Sequence, residues 1–222
     1  MTRALLIALT LLIGCPKQVA PTPPPEEASD MPGLDSPQAP DPQAPERFTV
    51  KFVTTKGDVL VDVYREWAPI GVDRLHRLVV SGFYADIAMY RVIDGFAAQF
   101  GIHSDPAVHA VWENAQLPDD PVVGSNVRGT ITFANAGPGT RTTQLFFNLG
   151  DNVYLDDMAF APLGRVRDMD AVYAAYGDYG EGAPRGAGPD QRKAAEQGGE
   201  YFRSEFPKLD WILRSEILPE GS

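Results

Sequence analysis

From Phe48 onwards, apolar and polar side chains alternate through Phe48-Thr49-Val50-Lys51-Phe52, the period-two signature of a strand with one face in a core. Lys56-Gly57-Asp58 is a turn, and Val59, Val61 and Val63 mark the buried face of the strand that returns from it. The period then lengthens. Pro69 opens a stretch in which Val72, Leu75, Leu78 and Val79 share one helical stripe, and Gly82 closes it. Short strand-like runs follow at 87–93, 96–101, 130–134, 144–149 and 160–166, with a second helical stretch at 169–176 and a last apolar run at 209–218. Many short strands, few helices and Gly-bearing turns predict a mainly β domain built on an antiparallel sheet, closed or sandwiched.

Ahead of Phe48 the pattern changes twice. Met1-Thr2-Arg3 precedes an apolar run over 4–13 that ends at Gly14-Cys15. About ten apolar residues are too few for a bilayer-spanning helix, which takes roughly 20, but they suit the core of an export signal. Leu12-Ile13-Gly14-Cys15 resembles the bacterial lipobox, which implies cleavage before Cys15 and a diacylglycerol on its thiol. Cys15 is the chain's one cysteine, so no intramolecular disulfide can form. Pro16 follows it where an Asp would mark inner-membrane retention in Gram-negative lipoproteins. An outer-membrane anchor facing the periplasm is the expected location.

Residues 16–47 hold ten of the chain's 20 prolines and almost no large apolar side chain. A segment with so little to bury is expected to be a disordered tether, about 3.1 Å per residue where extended and on the order of 100 Å fully stretched. The expected organisation is a signal over 1–14, a lipidated Cys15 with a Pro-rich linker to 47, and one domain over 48–222. A Pro-rich ligand for a recognition module is the alternative reading of the linker.

Composition narrows the function. With 44% hydrophobic residues the 222-residue chain can build a core, and a formal net charge of −11 with a pI near 4.7 argues against nucleic acid as a partner. His103, Asp105, His109, Asp119 and Asp120 follow no common metal-ligand spacing, so no metal site is expected and 103–128 reads as a loop over the sheet. Residues 176–199 are Gly-rich but lack the Lys-Ser/Thr ending of a phosphate loop, and read as a long surface loop. Trp67, Trp112 and Trp211 read as packing residues.

Four blocks carry the chemistry. They are Met89-Tyr90-Arg91-Val92-Ile93-Asp94-Gly95-Phe96-Ala97-Ala98-Gln99-Phe100-Gly101, then Thr130-Ile131-Thr132-Phe133-Ala134-Asn135-Ala136-Gly137-Pro138, then Thr142-Thr143-Gln144-Leu145-Phe146-Phe147, and finally Leu155-Asp156, Phe160 and Leu163-Gly164-Arg165-Val166. In type and order they resemble the motifs of the cyclophilins. The resemblance implies a closed, eight-stranded antiparallel β-barrel with two main helices and long loops, acting on Xaa-Pro bonds as a peptidyl-prolyl cis/trans isomerase without a cofactor. It implies Arg91, Phe96 and Gln99 as catalytic residues. It also implies Ala97, Ala134, Asn135, Ala136, Gln144, Phe146, Tyr154, Leu155 and Phe160 as the substrate-binding surface.

This chain departs from the family pattern at three places. Ala97 stands where Met is frequent, Tyr154 where Trp is, and the pocket His falls around Ala159 or Phe160. Those departures keep open an alternative: a catalytically weak module that binds proline-bearing segments as a chaperone. The expected partners are proline-containing polypeptides of the envelope or secreted proteins, met by a monomer held at the membrane through Cys15.

Overall fold

A computed structural model describes residues 33–168 and 188–218. The chain turns on itself in the hairpin of β1 (Arg47–Thr54) and β2 (Gly57–Tyr64), paired in strict register from Arg47 opposite Tyr64 to Thr54 opposite Gly57. The alternation read from the sequence is the observed burial: Phe48, Val50, Phe52, Val59, Val61 and Val63 all face the core. Helix α1 (Pro69–Val80) lies over it and inserts Val72, Leu75, Leu78 and Val79. No side chain of its own N-cap residue serves the first turn of α1. Instead the Asp120 carboxylate accepts from the Ile70 and Gly71 N–H groups at 2.9 and 2.8 Å and from Arg141 Nη1 at 3.0 Å.

The remaining strands are β3 (Ile87–Ala88), β4 (Arg91–Ile93), β5 (Ala97–Phe100), β6 (Thr130–Phe133), β7 (Leu145–Asn148), β8 (Pro162–Val166) and β9 (Trp211–Leu218). They join β1 and β2 in one nine-stranded antiparallel sheet ordered β3-β9-β1-β2-β8-β6-β7-β5-β4. The expected closed eight-stranded barrel is thus replaced by a curled sheet of nine strands. The cause is local: the run 87–93, read as one strand, changes partner midway. Ala88 pairs with Trp211 on β9, and Arg91 pairs with Gln99 on β5. One run therefore supplies both edges of the sheet, with only Met89 and Tyr90 between them. Consecutive Cα atoms are 3.8 Å apart, so the edges cannot be more than about 11 Å from one another at that point and the sheet must curl. Inside the curl, Phe52, Tyr84, Phe100 and Phe147 meet edge-on or tilted at centroid distances of 5.1–6.0 Å.

Among the described residues there are two further helices, α2 (Pro106–Trp112) and α3 (Gln191–Glu205). Both fall in stretches read as loops, α2 wholly inside 103–128 and the first part of α3 inside 176–199. Asp105 caps α2 through the Ala107 N–H, and Asp190 caps α3 through the Arg192 and Lys193 N–H groups. The apolar stripe of α3, Ala194, Tyr201 and Phe202, is interrupted by Gly198, whose φ of 63° breaks the helical path and lets the backbone close on Ser104. The helical stretch expected at 169–176 lies outside the described residues, as does Cys15.

Residues 33–46, expected to belong to the tether, are packed on the domain. They lie against α1 and α2: Arg77, fully buried, donates to the carbonyls of Ser36 and Ala39 and to Asp41, and Arg74 donates to Asp41 at 2.8 Å. Trp112 Nε1 donates to the Leu34 carbonyl at 2.8 Å, and the Ala44 N–H reaches Asp73 at 2.9 Å. An apolar-poor segment orders here because the domain supplies the donors. Towards the domain its backbone mainly has to accept, a role that prolines, lacking an N–H, do not hinder.

Candidate active site

Strand register assembles the site. Arg91 lies opposite Gln99, and Gln99 opposite Phe146, so three neighbouring strands point these side chains to one face. The intervening residues Val92, Ala98, Phe100 and Phe147 point to the other face and into the core. Phe96 sits in the β4–β5 turn, Ala134 and Asn135 follow β6, and Leu155 and Phe160 come from the 3-10 turn at Val153–Met158 and the residues after it.

Together Arg91, Phe96, Ala97, Gln99, Ala134, Asn135, Phe146, Leu155 and Phe160 line a cleft of about 120 Å³. Its floor and walls are a small apolar cluster separate from the main core, Ala97, Phe146 and Leu155, with Phe96, Ala134 and Phe160 packed on it. The Phe146 and Phe160 rings meet edge-on at 5.9 Å. The Arg91 guanidinium carbon stands 5.6 Å from the Phe96 ring centroid, and its Nη1 donates to Gln99 Oε1 at 3.2 Å. The cation is thus held at the rim of an apolar cup. The Phe160 ring completes the wall, and Ala97 forms part of the floor.

Ala136 and Gln144, expected in the same surface, line a second hollow of about 160 Å³ with Thr140, Thr142 and Gln191. Gln99, Ala134 and Asn135 border both hollows, so the two are adjacent. Gln99 Nε2 donates to Gln144 Oε1 at 3.0 Å, linking them. Tyr154 is the one expected binding residue that neither hollow takes in. It is 54% exposed on the outside of the 3-10 turn, where only its neighbour Leu155 turns inward. The acidic residues of 103–128 have structural partners: Asp105 caps α2, while Asp119 and Asp120 face Arg141.

Behind the cleft lies a set of amides that the sequence does not point to. Asn152 Nδ2 donates to the Phe96 carbonyl at 2.8 Å and to Asn148 Oδ1 at 2.7 Å, and Asn126 Nδ2 donates to the Phe160 carbonyl at 2.7 Å. Asn148 in turn donates to Asn126 Oδ1 and Thr130 Oγ1. The two aromatic walls are therefore fixed through their backbones by one buried network. Asp156 anchors its outer end, accepting from Ser125 and from both nitrogens of Asn126. Burial pushes that carboxyl up, but the hydrogen bonds from Ser125 and Asn126 outweigh it and hold the group below the usual carboxylate range.

The fold and site together are a curled antiparallel sheet with a cationic rim over a small apolar cup. The family model for "Cyclophilin type peptidyl-prolyl cis-trans isomerase/CLD" matches residues 49–207, and the chain belongs to that family. Its relatives include human peptidyl-prolyl cis-trans isomerase-like 3, 30% identical over 128 residues that make up 54% of this chain and 76% of the relative. Peptidyl-prolyl cis-trans isomerase A of Dickeya dadantii is 33% identical over 124 residues, 53% of this chain and 64% of the relative. Among solved structures, a cyclophilin-type peptidyl-prolyl cis-trans isomerase of Cryptosporidium parvum has the same fold. It superposes with a TM-score of 0.57 at 16% identity, covering 78% of this chain and 99% of that one. A second structure of it, in the presence of the dipeptide Ala-Pro, gives 0.56.

Proposed function

We propose that this chain catalyses cis/trans isomerisation of Xaa-Pro bonds in envelope or secreted polypeptides, assisting their folding from a lipid anchor at Cys15. The observation that carries the catalytic part is the Arg91 guanidinium held by Gln99 at the rim of the cup formed by Phe96, Ala97, Phe146, Leu155 and Phe160.

Rotation about a peptide bond faces a barrier of about 18–20 kcal/mol because the C–N bond is partly double. For Xaa-Pro the two end states differ by only about 0.5–1 kcal/mol, so a catalyst has only to lower the barrier. No bond to a nucleophile is made. The cup takes the prolyl ring and excludes water from it. A guanidinium, donor on every nitrogen, favours the pyramidal prolyl nitrogen of the twisted state over the planar amide. Held in advance by Gln99, it pays little reorganisation at the moment of reaction.

The test is a chromogenic proline-peptide assay on the purified chain. The wild type is expected to accelerate isomerisation. Arg91→Ala removes a charge-assisted contact of about 1.5–3 kcal/mol, a loss of roughly 10- to 150-fold in kcat/KM. Wild-type protein without rate acceleration would exclude the enzymatic reading. Ala97 and Phe160 favour a second reading, a peptide-binding module with little turnover. Undiminished affinity for a proline peptide with no rate effect is its signature.

A further inference from the structure

Tyr90 immediately precedes Arg91, at the point where the chain leaves one edge of the sheet for the other. It is 1% exposed, and its ring stacks on Phe202 of α3 at 6.0 Å and 17°. Its hydroxyl donates to Gln144 Oε1, the same oxygen that accepts from Gln99 Nε2 at 3.0 Å, while Gln99 Oε1 accepts from Arg91 Nη1 at 3.2 Å. A relay thus runs from Tyr90 through Gln144 and Gln99 to the guanidinium.

The polarity of this relay is fixed from both ends. A side-chain amide has a donor end and an acceptor end, and a half-turn exchanges them. Arg91 can only donate, so Gln99 must offer it oxygen and present its NH₂ to Gln144, which must answer with oxygen. At the far end, burial holds the Tyr90 phenol far above the usual tyrosine range, the nearby Arg91 charge opposing it only in part. A phenol that keeps its proton in the interior has to give it to an acceptor, and it meets the same Gln144 oxygen. Without that hydroxyl, Gln144 is held on one side only and is freer to turn, loosening Gln99 and the Arg91 donor in sequence. The lock also leaves the Gln144 NH₂ to serve the second hollow.

Resting on the isomerase reading above, we propose that Tyr90 is a positioning residue for the reaction: its hydroxyl locks the Gln144–Gln99 pair that aims Arg91. The test is a four-protein cycle of wild type, Tyr90→Phe, Gln144→Ala and the double variant, with kcat, KM and melting temperature measured on each. Tyr90→Phe keeps the ring and its stacking on Phe202. It is expected to lower kcat about 3- to 10-fold with KM nearly unchanged, since the aim of Arg91 matters most in the twisted state. In the Gln144→Ala background the same change is expected to cost nothing further, because the hydroxyl has no amide left to hold. An active wild type with a Tyr90→Phe loss of equal size in both backgrounds, or with no loss in either, overturns the proposal and leaves the isomerase reading intact. An inactive wild type removes that reading, and the proposal with it.

Discussion

Arg91, Phe96, Gln99, Gln144 and Phe146 are legible in the sequence because their types and spacing form motifs, and strand register then brings Arg91, Gln99 and Phe146 to one face. Asn126, Asn148 and Asn152 are not. Asn126 and Asn152, between strands, read as turn chemistry, and nothing local says that their amides will meet carbonyls 34 and 56 positions away. Asp156 belongs to the last of the four motifs, yet its work on Ser125 and Asn126 becomes visible only in three dimensions. That work has a pH signature. A carboxyl whose folded pKa lies below its unfolded value stabilises the protein above the unfolded pKa, and that contribution fades as pH falls through the folded one. Asp156→Asn is therefore expected to melt several degrees below wild type from pH 5 to 8, with the gap closing below about pH 4. Thermal melts across that range check it. A gap that stays constant into acid would mean that the carboxylate charge plays no part.

At the scale of elements, the β1–β2 hairpin and α1 follow from periodicity, but the strap over 33–46 and helix α3 escape it. Periodicity detects a segment that buries its own apolar face, whereas the strap is held by donors from elsewhere. Arg74 and Arg77, two positions of α1 that a stripe analysis assigns to solvent, are buried because their guanidinium groups reach Asp41 and the strap carbonyls. They also lie 5.2 and 4.9 Å from the Trp112 ring. In α3 the glycines at 198 and 199 disguise a helix whose apolar side chains support Tyr90 and Trp211. A domain cut at Phe48, where the alternation begins, would strip these partners and leave both guanidinium groups short of acceptors. A chain beginning at Phe48 is expected to be about 2–4 kcal/mol less stable than one beginning at Gly33. Urea midpoints of the two decide it, and equal midpoints would reduce the strap to a passive covering.

For the whole molecule, the strap changes what the proposed anchor can do. If the domain starts at 33, the chain between Cys15 and the strap is 16–32, and seventeen residues span at most about 60 Å in any conformation. The reach is then little more than half that expected for a tether running to 47. An acidic chain of net charge −11 is also repelled by anionic headgroups, so electrostatics would not hold the domain at a membrane. Among the described residues no helix is long and apolar enough to cross one. Attachment, in this proposal, therefore depends on acyl chains at Cys15, which contribute about 0.8 kcal/mol per buried CH₂. Expressed in a bacterium with a lipoprotein pathway, the wild type is expected in the membrane fraction and the Cys15→Ser variant outside it. Isomerase activity of the purified domain should be the same in both, because the cup and Arg91 lie far along the chain from the cysteine. Equal partitioning of the two proteins would rule out the anchor while leaving the catalytic assignment as it stands.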